Sequence, residues 1–195
     1  MKLPRLLFLS AGLVVALPAA LSAPVAAPDF GPNVRIFDPS MTTIQGEISA
    51  VFAGQEGNQF GPGRVAYLFK PGKYHLDVQV GFYMQVVGLG RSPDDVEITG
   101  AVRSKAGWMR NNNATCNFWR SAENLAVVPT LENNINIWAV SQATSLRRVH
   151  VKGDLNLWDG GWASGGFLAD CKIDGRINSG TQQQWISRNS AWGTW

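Results

Sequence analysis

Aspartates and tryptophans are concentrated in one stretch of the chain, LNLWDGGWASGGFLADCKIDG at residues 155–175. Two carboxylates can cleave a glycosidic bond, because one protonates the leaving oxygen while the other activates water or attacks the sugar. Asp159 and Asp170 are the candidate catalytic pair, since Asp159 precedes a Gly-Gly turn at the edge of a predicted groove and Asp170 begins the next inward strand, where it could face the same groove. Both cluster with Trp158 and Trp162. Aspartates in turns also accept hydrogen bonds from backbone amides, so a purely structural role for both stays open.

Aromatic and amide side chains near the C-terminal end form the candidate sugar-binding set. Five of the eight tryptophans lie in the last forty or so residues. Indole rings bury large apolar area against a flat partner, and side-chain amides bond hydroxyl groups. Some of these indoles must instead belong to the core. The candidate binding residues are Trp158, Trp162, Gln183, Trp185 and Trp192.

The basic stretch RRVHVKG, residues 147–153, suggests a second chemistry. Arg147, Arg148, His150 and Lys152 could supply the base of a polysaccharide lyase. Strand alternation places the last three on one outward face, so a solvated charged stripe is the alternative. The sequence has no Cys/His cluster with zinc spacing, and we expect neither a metal nor a cofactor.

The N-terminal residues 1–22 have the layout of a secretory signal peptide, with a basic start, an apolar run and small residues before Ala23. Gly12 and Pro18 shorten the apolar run below the length that spans a bilayer. We therefore expect a secreted, extracellular protein. Removal of Lys2 and Arg5 lowers the formal charge from +3 to +1, which disfavours nucleic acid and anionic membranes as partners.

The cysteines and one asparagine depend on this compartment. A disulfide between Cys116 and Cys171 is plausible outside the cell, and two buried free thiols are the alternative. Asn113 begins the only glycosylation acceptor sequence and lies in a polar run that predicts an exposed loop. We expect a glycan there if the host glycosylates.

The segment DPSMTTIQGEISAVF predicts a short amphipathic helix over 41–53, with Asp38 or Ser40 as its N-cap. From Val65 onward the chain changes to short β-type runs, VAYLF, YHLDVQV and YMQVVGL, separated by turn residues. Because helical segments do not alternate with these runs, the choice narrows to a sandwich, a barrel or a solenoid.

A repeat selects the solenoid. Four segments share two apolar positions separated by one residue and then Gly or Pro: DVEITG, NLAVVP, RVHVKG and DCKIDG. Their first apolar residues are Val96, Leu125, Val149 and Cys171, at intervals of 29, 24 and 22 residues. This predicts an all-β, right-handed parallel β-helix in which these four side chains stack inward, Cys171 as a small apolar residue.

In this interpretation the helix 41–53 covers the open end of the β-helix, where apolar side chains and unpaired strands would meet water. The predicted organisation is a signal peptide over 1–22, a leader over 23–40 and a β-helix domain over 41–195.

Several longer runs resemble a known family. LFKPGKYHLDVQVGFYMQVVGLGRSPDDVEITG resembles the first rung of secreted pectin-lyase-like β-helix proteins. ATCNFWRSAENLAVVPT, WAVSQATSLRRVHVKGDLNLWDGGWASGGFLADCKIDG and SGTQQQWISRNSAWG resemble one subfamily from fungi and actinobacteria. Its members carry labels such as "adenylyl cyclase" or "coagulation factor-type domain protein".

The resemblance implies a carbohydrate-active protein, but it carries no catalytic residues over to this chain. Members continue beyond the equivalent of Trp195, so we expect this chain to be the N-terminal part of a longer protein. Adenylyl cyclase activity is not expected, because the GLG at 88–90 lies in a turn between strands and does not resemble a phosphate-binding loop.

The sequence therefore predicts a secreted, monomeric glycoside hydrolase whose partner is an extracellular polysaccharide. A noncatalytic glycan-binding or wall-associated module is the first alternative, and a polysaccharide lyase is the second.

Overall fold

The computed structural model describes residues 28–195; the predicted signal peptide over 1–22 lies outside the described residues. One α-helix, α1 (Ile44–Gln55), precedes most of the strands. Among the helices of the described part, none is long and apolar enough to cross a membrane. The strands are β1 (Val34–Phe37), β2 (Val65–Phe69), β3 (Gly72–Gln79), β4 (Met84–Gly88), β5 (Val96–Arg103), β6 (Arg120–Pro129), β7 (Ile135–Ile137), β8 (Thr144–Val151), β9 (Asp154–Asn156), β10 (Phe167–Ala169), β11 (Lys172–Asn178), β12 (Ile186–Arg188) and β13 (Ala191–Thr194).

The strands form three columns, and every pairing between the named strands is parallel. Column A contains β1, β2, β4, residues 120–123 and 144–147, β10 and β12. Column B contains residues 72–75, 96–99, 125–128, 149–151 and 172–173, and β13. Column C contains residues 76–79 and 100–103, β7, β9 and residues 177–178. One strand from each column makes a layer.

The predicted repeat register is confirmed. Val96, Leu125, Val149 and Cys171 occupy equivalent places in successive layers of column B, and none is more than 4% exposed. Because side chains alternate between the two faces of a strand, this register keeps one apolar row inside the molecule. Column A adds a second buried row in register: Tyr67, Val86, Ala122, Leu146 and Leu168.

The helix α1 covers the edge of β3, as predicted. Ile44 and Ile48 are buried in the core, while the Gln45 side chain bonds the backbone of Asp77 in both directions. This amide pairs strand groups that would otherwise be left at an edge. The predicted caps were wrong: Thr43 precedes the helix, and Asp38 instead accepts hydrogen bonds from Ser40 in a turn.

The segment predicted to be a leader, 23–40, contributes β1 to column A. Val34 to Phe37 pair with Ala66 to Phe69 of β2, and Phe37 is 1% exposed. The layered structure therefore begins before residue 41.

Neither cysteine is in a disulfide, although both lie in the described part of the chain. Cys171 is buried in the inward row of column B, where burial raises the pKa of its thiol to about 11. Cys116 lies in a short turn of the loop between β5 and β6. Both thiols are therefore free, but only Cys171 is buried as the free-thiol alternative predicts, and Cys116 is half-buried.

Truncation of a side chain in the inward row should be costly. We expect Leu125→Ala to lower the free energy of unfolding by about 2–5 kcal/mol, because the neighbouring layers hold the cavity open. Urea unfolding measures this loss. Leu89→Ala, at a leucine that is 47% exposed, is the matched control and should change it by no more than about 0.5 kcal/mol. Similar losses in the two variants would contradict the layered core.

Candidate functional site

Asp170 lies at the corner between columns A and B, in a row of residues with left-handed backbone. The φ angles of Asn124, Arg148, Asp170 and Asn189 lie between 48° and 55°, and the strand registers place the four in successive layers. Side-chain bonds join neighbours: the Arg148 guanidinium donates to Asn124 Oδ1, and Asn189 Nδ2 donates to Asp170 Oδ1 at 3.3 Å. Short polar residues tolerate this conformation best, which accounts for Asp170 structurally.

Asp159 lies beyond β9, at the other side of the layer. Its Oδ2 accepts a hydrogen bond from the backbone N–H of Ala106 at 3.1 Å, and its Oδ1 lies 4.0 Å from Lys105 Nζ. Both partners belong to the loop between β5 and β6. The carboxylate is 11% exposed and anchors this loop to the one that follows β9.

The structure does not bring the predicted catalytic pair together. Asp159 lies in the connection from column C to column A, whereas Asp170 lies at the corner between columns A and B. Each carboxylate has a partner in its own corner. The sequence distance of eleven residues was misleading, because a short strand, β10, crosses the layer between them.

Trp158 packs inside the protein, whereas Trp192 is 38% exposed on β13 and lines neither depression described below. The Trp158 ring packs against a small apolar cluster and is covered by Gly180, where a Cβ would lie 2.3 Å from the indole. Trp192 is in register with the buried Ile173 of the preceding layer, and its ring meets Trp195 edge-on at 5.0 Å. Of these two predicted binding residues, only Trp158 is packed against a buried cluster.

Trp162 does line a surface depression of about 350 Å³. Its ring is 59% exposed. The other lining residues come from the loop between β5 and β6, from the Gly-Gly turn and from the next layer: Arg110, Asn111, Asn113, Gly160, Gly161 and Thr181. Asn113 is half-buried here, and its Oδ1 accepts from the hydroxyl of Thr115 at 2.8 Å.

Trp185 lines a second depression of about 350 Å³, which we call the amide depression. Two glutamines, Gln142 and Gln184, lie on it with Phe167, and Gly165 and Gly166 form part of its lining. A Cβ at Gly166 would lie 2.1 Å from the Trp185 ring, so only glycine lets the indole lie against this backbone.

The structure shifts one predicted binding residue by one position. Gln184 lines the amide depression, whereas the predicted Gln183 is exposed beside it and uses its backbone N–H to bond Ala163 O. Gln142 was missed, because it lies 42 residues from Gln184 and only the layering places them together. The lining of the two depressions is mostly polar, aromatic and glycine residues, with Arg110 in the first and Ala143 and Ile186 in the second, and it includes no carboxylate.

The basic stretch at 147–153 is occupied by ion pairs. His150 lies between Asp94 at 2.8 Å and Asp174 at 3.1 Å, and Lys152 bonds Glu97 at 2.7 Å. Arg147 pairs with Glu123, while Arg148 turns into the corner row and leaves the predicted outward face. The hydrogen bond from Lys152 holds the pKa of Glu97 below its usual range, and that from Lys172 does so for Asp174.

These pairings make the stretch a stabilising network rather than a free base for lyase chemistry. Among residues 28–195, no group of three or more His, Cys, Asp or Glu side chains is arranged to hold a metal ion.

Comparison with known proteins identifies one clear relative. The chain is 55% identical over 181 residues to the exo-beta-1,3-glucanase of Streptomyces sp. strain SirexAA-E, a match that covers 91% of this chain and 29% of the glucanase. No family model matches the chain.

Two solved structures of sacteLam55A from Streptomyces sp. SirexAA-E share the fold. A variant of that protein in complex with glucose superposes with a TM-score of 0.81 and 53% identity, and a second structure of it with 0.78 and 50%. Each match covers 86% of this chain and 31% of that chain. The chain therefore spans less than a third of the length of these relatives.

The stability of variants at Asp170 should depend on the left-handed backbone conformation there rather than on the charge of the side chain. We expect Asp170→Asn to unfold within about 0.5 kcal/mol of the parent, because asparagine accepts left-handed backbone. Asp170→Val should lose about 1–2 kcal/mol, because a branched Cβ clashes there. Urea unfolding measures both. Equal losses would mean that the carboxylate charge matters more than the conformation.

Acid should weaken the network around Lys152. Glu97 and Asp94, the two carboxylates that pair with Lys152, have lowered pKa values in the folded protein, so the unfolded chain takes up protons first as the pH falls. Their contribution is complete above the usual carboxyl range near pH 4 and is lost as the pH falls through the lowered values.

We expect Lys152→Met to lose less stability than the parent between about pH 5 and pH 2, as measured by urea unfolding at each pH. Arg110→Met removes one positive charge that has no ion pair within residues 28–195, and it should keep the parental slope. An unchanged slope in Lys152→Met would contradict the assignment.

Proposed function

We propose that this protein takes part in the hydrolysis of an extracellular β-1,3-glucan as a glycoside hydrolase. The observation that carries the proposal is the 55% identity over 181 residues to an exo-beta-1,3-glucanase. The exposed indole of Trp162, the partly buried indole of Trp185 and the amides beside them support it, because such groups suit the apolar faces and the hydroxyl groups of a neutral sugar.

We also propose that the layered strands form a right-handed parallel β-helix. Three columns of parallel strands support this, as does the TM-score of 0.81 to a 53% identical structure. Parallel strands joined by a crossover are right-handed in about 98% of cases. We include in this proposal that the protein shares its β-helix fold with pectin-lyase-like proteins.

In this proposal residues 28–195 supply sugar-binding walls rather than the acid and base. Hydrolysis needs two carboxyl groups that flank one bond, at about 5–9.5 Å from each other. Asp159 and Asp170 hold different corners, and the depressions beside Trp162 and Trp185 are lined without Asp or Glu. The same observation favours a second candidate function, that of a noncatalytic glycan-binding module.

The cellular setting is part of the proposal. We propose that the protein is secreted as a monomer after removal of residues 1–22, with a glycan on Asn113 where the host adds one. Hydrolysis of a glucan consumes water and needs no cofactor. The polysaccharide lyase is the least supported alternative, because its basic side chains are held in ion pairs.

Two neighbouring glutamines allow a matched test. We expect Gln184→Ala to weaken the affinity for a β-1,3-linked glucose hexasaccharide about fivefold, because a hydrogen bond to a sugar hydroxyl contributes about 1 kcal/mol. Gln183→Ala should bind like the parent, because that amide lies outside the depression. Titration calorimetry measures both affinities.

The reaction is followed with the same protein by the release of reducing ends from β-1,3-glucan, with β-1,4-glucan as the control polymer. New reducing ends from β-1,3-glucan alone would support the hydrolase and would contradict the assignment of residues 28–195 to sugar-binding walls only. Saturable binding without new reducing ends would select the binding module, and unsaturated products would select the lyase. If the protein neither binds β-1,3-glucan nor releases reducing ends from it, the proposal is overturned.

A further inference from the structure

Three planar side chains form a stack along the edge of column A. Arg64, Tyr83 and Trp119 each directly precede a column A strand, and those strands are paired in register. The guanidinium carbon of Arg64 lies 3.4 Å from the centre of the Tyr83 ring. The Tyr83 and Trp119 rings are 6.3 Å apart and inclined by 17°. Trp119 is 54% exposed.

The backbone of this row is unusual for such residues. Tyr83, Trp119 and Ala143, the next member of the row, have φ angles of 57°, 54° and 57°. Bulky residues rarely adopt this conformation, and its cost is met by contacts between layers. The Tyr83 N–H donates to Trp119 O at 2.6 Å, and the Val65 N–H donates to Tyr83 O at 3.1 Å. The two rings are therefore held at the edge by the layered backbone.

The stack stops where the side chains become small. Ala143 follows Trp119 in the row, and Gly165 follows Ala143 in the next layer. A depression of about 330 Å³ lies here, lined by Tyr83, Trp119 and Ala143. Ala143 also lines the amide depression, so the two hollows adjoin.

The polar groups of this hollow are uncharged at the surface. Gln85, Ser121 and Ser145 line it from the outward face of column A. The one charged residue of the lining, Arg120, is 2% exposed, and its guanidinium bonds Val80 O and Ser104 Oγ inside the protein. An aromatic wall with amide and hydroxyl neighbours complements a neutral sugar and offers nothing specific to an ion.

We propose that Trp119 is the stacking platform of a further glycan subsite, in which one ring of a neutral glucan chain occupies the place beside Ala143. Parallel strands lie about 4.8 Å apart, and the centres of stacked rings lie about 4.5–7 Å apart. One sugar ring can therefore occupy the position that an aromatic side chain would take in the layer of Ala143. The chain continues from there into the amide depression beside Trp185. The choice of a β-1,3-glucan rests on the proposed function.

The test uses two opposite changes at this place. Trp119→Ala removes the platform, and we expect about a tenfold loss of affinity for the β-1,3-linked glucose hexasaccharide in titration calorimetry. Ala143→Trp fills the place with an indole, on the backbone conformation that Trp119 already adopts, and should block the subsite to a similar extent. Trp195→Ala removes an indole of similar exposure, 47%, and should bind like the parent.

The outcomes separate this subsite from the proposed function. Parental affinity in both Trp119→Ala and Ala143→Trp would overturn the subsite and leave the proposed function standing. If the parent binds only a β-1,4-linked hexasaccharide and loses it in Trp119→Ala, the subsite stands and the β-1,3-glucan assignment falls. A parent that binds neither oligosaccharide overturns both. Thermal unfolding of each variant, unchanged from the parent, shows that binding rather than folding was altered.

Discussion

The structure depends on the parallel register of one layer on the next. Each strand bonds its neighbours through the backbone, and because the register is kept, Val96, Leu125, Val149 and Cys171 lie above one another in the core. A slip of one residue would turn that row to water. The helix α1 belongs to the same constraint, since Gln45 pairs backbone groups at the edge that β3 would otherwise leave open.

The register also decides what the polar residues at the corners do. Where column A turns into column B, the backbone is left-handed in every layer from Asn124 to Asn189. Residues placed there are selected for that conformation and for bonds to the layers beside them. Asp170 is one of them, and Asp159 is likewise held by the amide of Ala106. Both carboxylates therefore accept hydrogen bonds that join one segment of this part of the protein to another.

The loops from column C to column A are paired between layers at only a few places, and they line the depressions. Their lengths differ from layer to layer, and they bring Trp162, Trp185 and two glutamines to one edge. Small residues matter as much as large ones there. Gly166 leaves the space that Trp185 fills, and Ala143 leaves the space beside Trp119 open. The layers thus set the spacing of positions along this edge, and the loop residues determine whether each position is filled by an aromatic side chain or left open.

The sequence by itself determined the strands, the capping helix and the repeat, because these follow from alternation and periodicity over a few residues. It also indicated tryptophans and glutamines in the loops that line the depressions. Only the tertiary structure decided which of them face a depression, that Arg148 leaves its outward row and that Asp159 and Asp170 lie at different corners. The physical reason is that the layers join residues 20 to 40 positions apart, through loops and left-handed corners whose geometry no local pattern encodes.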